Sequence, residues 1–350
     1  MNNRVTICMP AYNAEKYLKK TIDSICRQTY QQWDLIIVDD GSTDNTNRIC
    51  SEYAKKDPRI HLINQANSGA PAARKTAVHS EFARQNEWLM FCDADDIMPK
   101  DAVQKMVETA VRYDTDLVCG ASRNMIKGIC ISGIKPIFAS LEEPRKIEHD
   151  ELISDIYASF FAMHNLPVSL WGKLYRYKYI STAINTDNVV HFTGDDLVVT
   201  MQVIPEIRSM VLIPDVVYHY RVGGGSSRYS PTLLDDFVNL YRFRLPFIEK
   251  YPMKQNVKFY MDVELMYYSQ TYLLQQVRKN GIDCIAAEIT KLNEIPEIHK
   301  VASYLRSTNH SISSYAEMLC KKDVPGIKEL IGGMVKKGKK RELLKRILVR

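Results

Sequence analysis

Short apolar runs alternate with stretches of helical period through the first third of the chain. Val5-Thr6-Ile7-Cys8-Met9, Trp33 to Val38, Ile60 to Asn64, Trp88 to Cys92 and Leu117 to Ala121 read as buried strands. Between the first two, Tyr17, Leu18, Ile22 and Ile25 recur at the spacing of one helix face, from about Ala14 to Arg27, and a further helix is expected from Lys100 to Arg112. Strands and helices in this alternation predict an α/β class with a mostly parallel central sheet covered on both faces.

Beyond Ala121 the pattern is less regular. It predicts a hairpin within Met125 to Ala139, a helix over Glu148 to Ala162, a helix over Leu197 to Val203, and strands at Met210 to Ile213 and Val216 to Tyr220. From Pro231 onward it is helical, with segments at Thr232 to Lys250, Val257 to Arg278 and Cys284 to Leu292. A boundary near Ser230 is therefore expected, separating an α/β domain (1–230) from an α-helical C-terminal region (231–350).

The polar residues that matter stand where strands end. Asp93-Ala94-Asp95-Asp96 follows the Trp88 strand directly, and Asp39-Asp40-Gly41-Ser42 follows the second strand. Carboxylates there either cap the helix that follows or project from the carboxyl edge of the sheet, where open α/β sheets bind ligands. Alternation along an extended segment lets Asp93 and Asp95 address one ligand while Asp96 points elsewhere. Oxygen ligands without a neighbouring His or Cys pair suit Mg²⁺ or Mn²⁺ better than zinc. Tyr12, Asp39, Asp40, Asp93 and Asp95 are expected to line one cleft, with Arg74 supplying positive charge. Gly194-Asp195-Asp196 places two carboxylates at a helix start, as an ordinary acidic cap or as part of a site, and Arg221-Val222-Gly223-Gly224-Gly225-Ser226-Ser227 is expected to form a mobile lid.

Composition sharpens this reading by exclusion. The chain has 350 residues, 45% of them hydrophobic, enough to build a full core. Eight cysteines without a Cys-x-x-Cys pair read as buried thiols of a reducing compartment. No apolar run approaches the ~18 residues of a membrane span, and no signal-peptide core follows Met1, so a cytoplasmic protein is expected. Of the net charge of +6, residues 334–350 carry +7 (eight Lys or Arg against Glu342), leaving the body near −1. A nucleic-acid-binding body is thereby disfavoured. In the tail, Leu343, Leu344, Ile347 and Leu348 fall on one helical face among Lys and Arg, the pattern of an amphipathic helix on an anionic membrane, with a solvated basic terminus as the alternative. No Gly-x-Gly-x-x-Gly or Gly-x4-Gly-Lys loop is present, which argues against dinucleotide and P-loop folds.

Met9-Pro10-Ala11-Tyr12-Asn13, Gln28-Thr29-Tyr30, Val38 to Asp44, Asn67-Ser68-Gly69 with Ala73-Arg74, Asp93-Ala94-Asp95-Asp96, Trp171 to Arg176 and Gly194-Asp195-Asp196 occur in the order in which similar stretches occur in one family. Over residues 1–225 the chain resembles the bacterial family 2 inverting glycosyltransferases, with their GT-A (nucleotide-diphospho-sugar transferase) fold. The resemblance implies that Pro10, Tyr12 and Asp40 hold a nucleobase with support from Asp39, and that Arg74 reaches the nucleotide. It implies ribose contact by Asp93 in the Asp93-Ala94-Asp95 motif, and Mn²⁺ or Mg²⁺ on Asp95. It further implies Asp196 as the catalytic base, and makes His219 and Arg221 candidates for gripping a diphosphate. Asp195 stands where the family has Glu.

By this resemblance the donor is a nucleotide-sugar, a UDP-sugar above others, and the acceptor a glycan or a lipid-linked molecule of the cell surface. The protein is expected at the inner face of the cell membrane, held there by its basic tail. The helical region is expected to bind acceptor, form a homo-oligomer or dock to the membrane. A sugar-1-phosphate nucleotidyltransferase would begin with a glycine-rich basic signature that Pro10-Ala11-Tyr12-Asn13 lacks. The other alternative is a catalytically inactive, nucleotide-binding scaffold protein.

Overall fold

The structure, a computed structural model, describes residues 3–348 apart from 127, 132–133, 162–165, 186–188, 192, 224–229 and 254–255, with backbone alone from 339 to 348. By contacts the chain divides into two compact units, Met1–Phe160 with His164–Arg228 and Tyr251–Lys254, and Phe161–Met163 with Tyr229–Lys250 and Gln255–Arg350.

The first unit begins with β1 (Val5–Ala11), α1 (Leu18–Cys26), β2 (Trp33–Asp40), α2 (Thr46–Lys56), β3 (Ile60–Gln65), α3 (Ala70–Val78), α4 (Glu81–Arg84) and β4 (Trp88–Phe91). There follow α5 (Ala102–Tyr113), β5 (Leu117–Ile126), β6 (Ile129–Cys130), α6 (Pro136–Ala139), β7 (Arg145–Glu148), α7 (His149–Glu151), β8 (Lys173–Arg176), α8 (Tyr177–Ala183), α9 (Asp195–Val203) and β9 (Ser209–Arg221).

The sheet runs β3-β2-β1-β4-β8-β5-β9-β7, with β6 paired to β5. Strands β1 to β4 are mutually parallel, β8 lies antiparallel between β4 and β5, and β9 runs parallel to β5. Six of the nine described strands thus share one direction, the mostly parallel α/β sheet expected. Strand β2 is buried along its whole length, as a central parallel strand must be. Helix α1 seats Leu18, Ile22 and Ile25 against the Val5, Ile7 and Met9 side chains, and α5 contributes Met106, Val107 and Ala110 to the same core. Each of these leucine, isoleucine, valine and methionine side chains contributes roughly 1.5–3 kcal/mol by leaving water.

The chain departs from the sequence pattern at several points. The segment expected as one helix over Glu148 to Ala162 instead closes β7 at Glu148 and passes through α7, a π-helical turn at Leu152–Ile156 and a 3₁₀ turn at Tyr157–Phe160. The two strands expected around Pro214 are one strand, β9, whose register against β5 shifts near Ala121 instead of breaking. The hairpin expected in Met125 to Ala139 is β5 with the short β6, followed by α6.

Parallel pairing fixes which loops meet. Ala11 pairs with Asp39 and Asp40 with Gln65, so the chain leaves β1, β2 and β3 along the same edge. At the opposite edge Asp116, its side chain fully buried, is bound by Arg208 and by Arg176, which also pairs with Glu87.

The second unit is helical: α10 (Leu233–Lys250), α11 (Val257–Asn280), α12 (Ile285–Glu294), α13 (Pro296–Leu305), α14 (Ser313–Cys320) and α15 (Val324–Leu348). Its interior carries a buried Arg244–Glu264 ion pair at 2.6 Å and a Tyr241 hydroxyl donating to Asp262 at 2.7 Å. No helix among the described residues is long and apolar enough to cross a membrane. The glycine-rich segment expected as a lid lies mostly outside the described residues, as do the side chains of the expected amphipathic face at 343–348.

Candidate functional site

The loops that leave β1 and β2 are tied to one another. Asn13, at φ 48°, accepts the Thr43 backbone N–H at 2.8 Å on its side-chain oxygen and donates its own N–H to Ser42 Oγ at 3.0 Å. Gly41 takes φ 71°, and a Cβ there would stand 2.8 Å from Asn67 N, so only glycine fits the turn. Asp39 accepts the Ser42 N–H at 3.1 Å and the Asn47 amide at 2.8 Å. Asp40 accepts from Gln65, Ser68 N and Gly69 N at 2.7, 2.9 and 2.8 Å. Both carboxylates are buried and hold the loops around them, while Pro10 is half-buried and Tyr12 is 47% exposed beside them. An exposed tyrosine on a fixed loop offers a ring face for a flat ligand.

A second group gathers on Arg74. This guanidinium, from the middle of α3, donates to Asp93 at 3.0 Å, pairs with Asp195, and lies 3.3 Å from Asp196 Oδ1. Burial would lower the Arg74 pKa, but Asp195, Asp196 and Asp93 together raise it well above the ordinary value. Asp195 and Asp196 open α9, after Gly194 at φ 100°. Asp196 Oδ2 accepts the Leu170 N–H at 3.3 Å, whereas the buried Oδ1 has no hydrogen-bond partner among the described residues. Burial pushes the Asp196 carboxyl up to about 7, opposed by Arg74 and reinforced by Asp195 and Asp93. A carboxylate with a pKa near neutrality is suited to accept a proton.

The acidic turn after β4 is clamped to the end of β9. The Asp93 N–H donates to the Tyr218 hydroxyl at 3.0 Å, which donates to Asp96 at 2.7 Å. The Arg221 N–H donates to the other Asp96 oxygen at 2.6 Å, and its Nε donates to the Asp95 carbonyl at 2.6 Å. Its guanidinium also lies over the Tyr17 ring, 4.0 Å from the centroid. His219 joins Ile97 by backbone hydrogen bonds at 2.9 and 3.2 Å. Burial pushes Asp96 up to about 8, with Asp93 adding to it, so Asp96 is the inward member of the acidic run. Asp95 is also raised, by burial and then by Asp93, with Arg221 opposing. Ala94 is buried between them, and its carbonyl accepts from the Thr21 hydroxyl at 3.0 Å.

The structure therefore brings Arg74, Asp93, Asp195 and Asp196 into contact, and joins Asp95 and Asp96 to Arg221. Sequence reasoning missed Tyr218, which bridges the backbone of Asp93 to Asp96, and the Leu170 N–H on Asp196. Their strand and loop positions carry no motif of their own. Asp95 retains a raised pKa among like charges, the condition that a cation relieves, and its oxygen donors suit Mg²⁺ or Mn²⁺. Among the described residues no cluster of three potential ligands surrounds it.

Comparison with known proteins shows what this chain is similar to. Residues 6–128 match the model of Glycosyl transferase family 2. Over 228 residues, 65% of this chain, it is 28% identical to Glycosyltransferase GlyA of Streptococcus pneumoniae serotype 4, taking in 32% of that protein's length. Over 252 residues it is 27% identical to the uncharacterized glycosyltransferase EpsJ of Bacillus subtilis, covering 71% of this chain and 70% of that one. This chain thus spans about a third of GlyA and about two thirds of EpsJ. The structure of S. aureus TarS 1-349 in complex with UDP-GlcNAc is similar in fold, with a TM-score of 0.57 and 18% identity over 96% of this chain and 92% of that one. The fold is the GT-A type, and the likeness to glycosyl transferase family 2 extends over residues 6–128.

Proposed function

We propose that this chain is a metal-dependent inverting glycosyltransferase that moves a sugar from a UDP-sugar to a hydroxyl of a cell-surface glycan or lipid-linked acceptor. The observation that carries this reading is the buried Asp196 Oδ1, unpartnered by hydrogen bonds among the described residues and belonging to a carboxyl pushed up to about 7. The GT-A fold and the UDP-GlcNAc complex of TarS support the donor class.

In this reading Tyr12 stacks on the uracil ring, with Pro10, Asp39 and Asp40 shaping the pocket around it. Asp93 meets the ribose. Asp95 would hold the divalent cation, its carboxylate being the hard oxygen donor that Mg²⁺ or Mn²⁺ prefers. Such a cation, when bound, offsets the charge that develops on the departing diphosphate. Asp196 takes the proton of the incoming hydroxyl, and a single base suffices because inversion is one displacement. Arg74 holds Asp93, Asp195 and Asp196 in one arrangement, so the carboxylates need no reorganisation as the reaction proceeds. Arg221 and His219 fix the acidic turn against β9.

The test is release of UDP from UDP-GlcNAc with Mn²⁺, comparing the wild-type chain with Asp196→Asn. Loss of turnover with retained UDP binding in the variant supports the reading, and unchanged turnover removes Asp196 as the base. UDP binding by the wild type with no turnover of any UDP-sugar would favour the scaffold alternative.

A further inference from the structure

The loop of residues 167–170 has the carbonyl of every residue held by a side chain. Lys173 Nζ donates to the Pro167 oxygen at 2.9 Å and to the Ser169 oxygen. Thr200 Oγ1 donates to the Val168 oxygen at 3.0 Å, and the Tyr175 hydroxyl donates to the Leu170 oxygen at 3.4 Å. The Leu170 N–H is the group that reaches Asp196 Oδ2.

Lys173 is 2% exposed and forms no ion pair among the described residues. An ammonium taken out of water without a counterion is costly, and burial duly lowers its pKa. Methionine would fill similar space without that cost. A short, three-donor head that can satisfy two carbonyls at once gives a reason for lysine here. Thr200 stands one helical turn beyond Asp196 on α9, so the helix that carries the carboxylate also grips the loop that donates to it. Tyr175 and Lys173 both lie on β8, which is hydrogen-bonded between β4 and β5, and the loop is thereby referenced to the sheet.

We propose that Lys173, Thr200 and Tyr175 are positioning residues that hold loop 167–170 as a rigid strut, so that the Leu170 N–H fixes the rotamer and the basicity of Asp196. The proposal rests on the reading of Asp196 as the base. Groups facing that carboxylate are Arg74, Asp195, Asp93 and Leu170 N–H, with Lys173 and Tyr175 behind the loop. Removing the lysine charge would itself raise the Asp196 pKa, so neutral substitutions are the informative ones.

The experiment follows carboxyl ¹³C shifts of the full chain through a pH titration, with the Asp196 signal assigned by its absence in Asp196→Asn. Thr200→Val and Tyr175→Phe keep shape and charge and remove the hydrogen bonds that each hydroxyl makes. Both are expected to move the Asp196 midpoint upward by about one pH unit, the size that weakening one hydrogen bond to a carboxylate produces. In UDP release from UDP-GlcNAc they are expected to lower kcat about tenfold with KM held. A midpoint that neither variant moves overturns the proposal. Because the titration needs no turnover, that result is separate from failure of the base assignment, which would appear as full activity of Asp196→Asn.

Discussion

Arg74 Nη1 stands 3.3 Å from Oδ1 of Asp196, so the group that balances the charge of the proposed base arrives from a helix far away in the chain. The same guanidinium holds Asp93 at the end of the acidic turn. One cation thereby couples the proposed donor-binding turn to the proposed base, and removing it should disturb both.

Arg74→Met tests that coupling. Three carboxylates would face one another with no cation between them, and removing one partner of a buried ion pair costs roughly 3–5 kcal/mol. Urea unfolding should show a loss of that size. Since Arg74 opposes the upward push of burial on Asp196, the acid limb of kcat for UDP release should move above pH 7 in any folded variant. A limb that stays in place would separate Arg74 from Asp196.

Tyr218→Phe removes the hydroxyl that accepts the Asp93 N–H and donates to Asp96. The stacking of Tyr218 on Trp171, with ring centroids at 4.6 Å, needs only the ring and should persist. A loss of about 1–3 kcal/mol in stability is expected from the two lost hydrogen bonds. Mn²⁺-dependent UDP binding should weaken with it, because the turn that carries Asp95 loses its clamp.

Asp116 governs stability at the opposite edge of the sheet. Burial alone would raise its carboxyl, but hydrogen bonds from Arg208 and the charges of Arg208 and Arg176 hold it below the usual carboxylate range. A carboxylate with a lowered folded-state pKa contributes stability above its unfolded pKa of about 4, and that stability is lost as pH falls through the folded value. Asp116→Asn should therefore cost about 3 kcal/mol at pH 7, and the difference from wild type should shrink as the pH approaches 3. Chemical denaturation at pH 7, 5 and 3.5 reads this directly. A difference independent of pH would contradict it.

How much of this was legible in the sequence follows from the length and purity of each signal. Trp88 to Cys92 announces β4 because an apolar run ends abruptly in acids, and the inward turn of Asp96 follows from alternation. Strands β7 and β8 are four residues each, Arg145-Lys146-Ile147-Glu148 and Lys173-Leu174-Tyr175-Arg176, and their charged residues hide the apolar signal. The cleft-lining acids were readable singly from strand ends. The meeting of Arg74 with Asp195 and Asp196 was not, because it depends on how α9 and α3 pack, and no local pattern encodes that. The Tyr218 hydroxyl was hidden for a related reason: within β9 it reads as one more buried aromatic.

Titration calorimetry of UDP into the full chain, with and without Mn²⁺ and repeated on Asp95→Ala, asks whether the site binds a nucleoside diphosphate through a cation held by Asp95. UDP binding is expected to be strengthened tenfold or more by Mn²⁺ and to return to the metal-free level in Asp95→Ala. Absence of UDP binding under every condition, or binding equally strong without Mn²⁺ and in Asp95→Ala, would contradict that expectation.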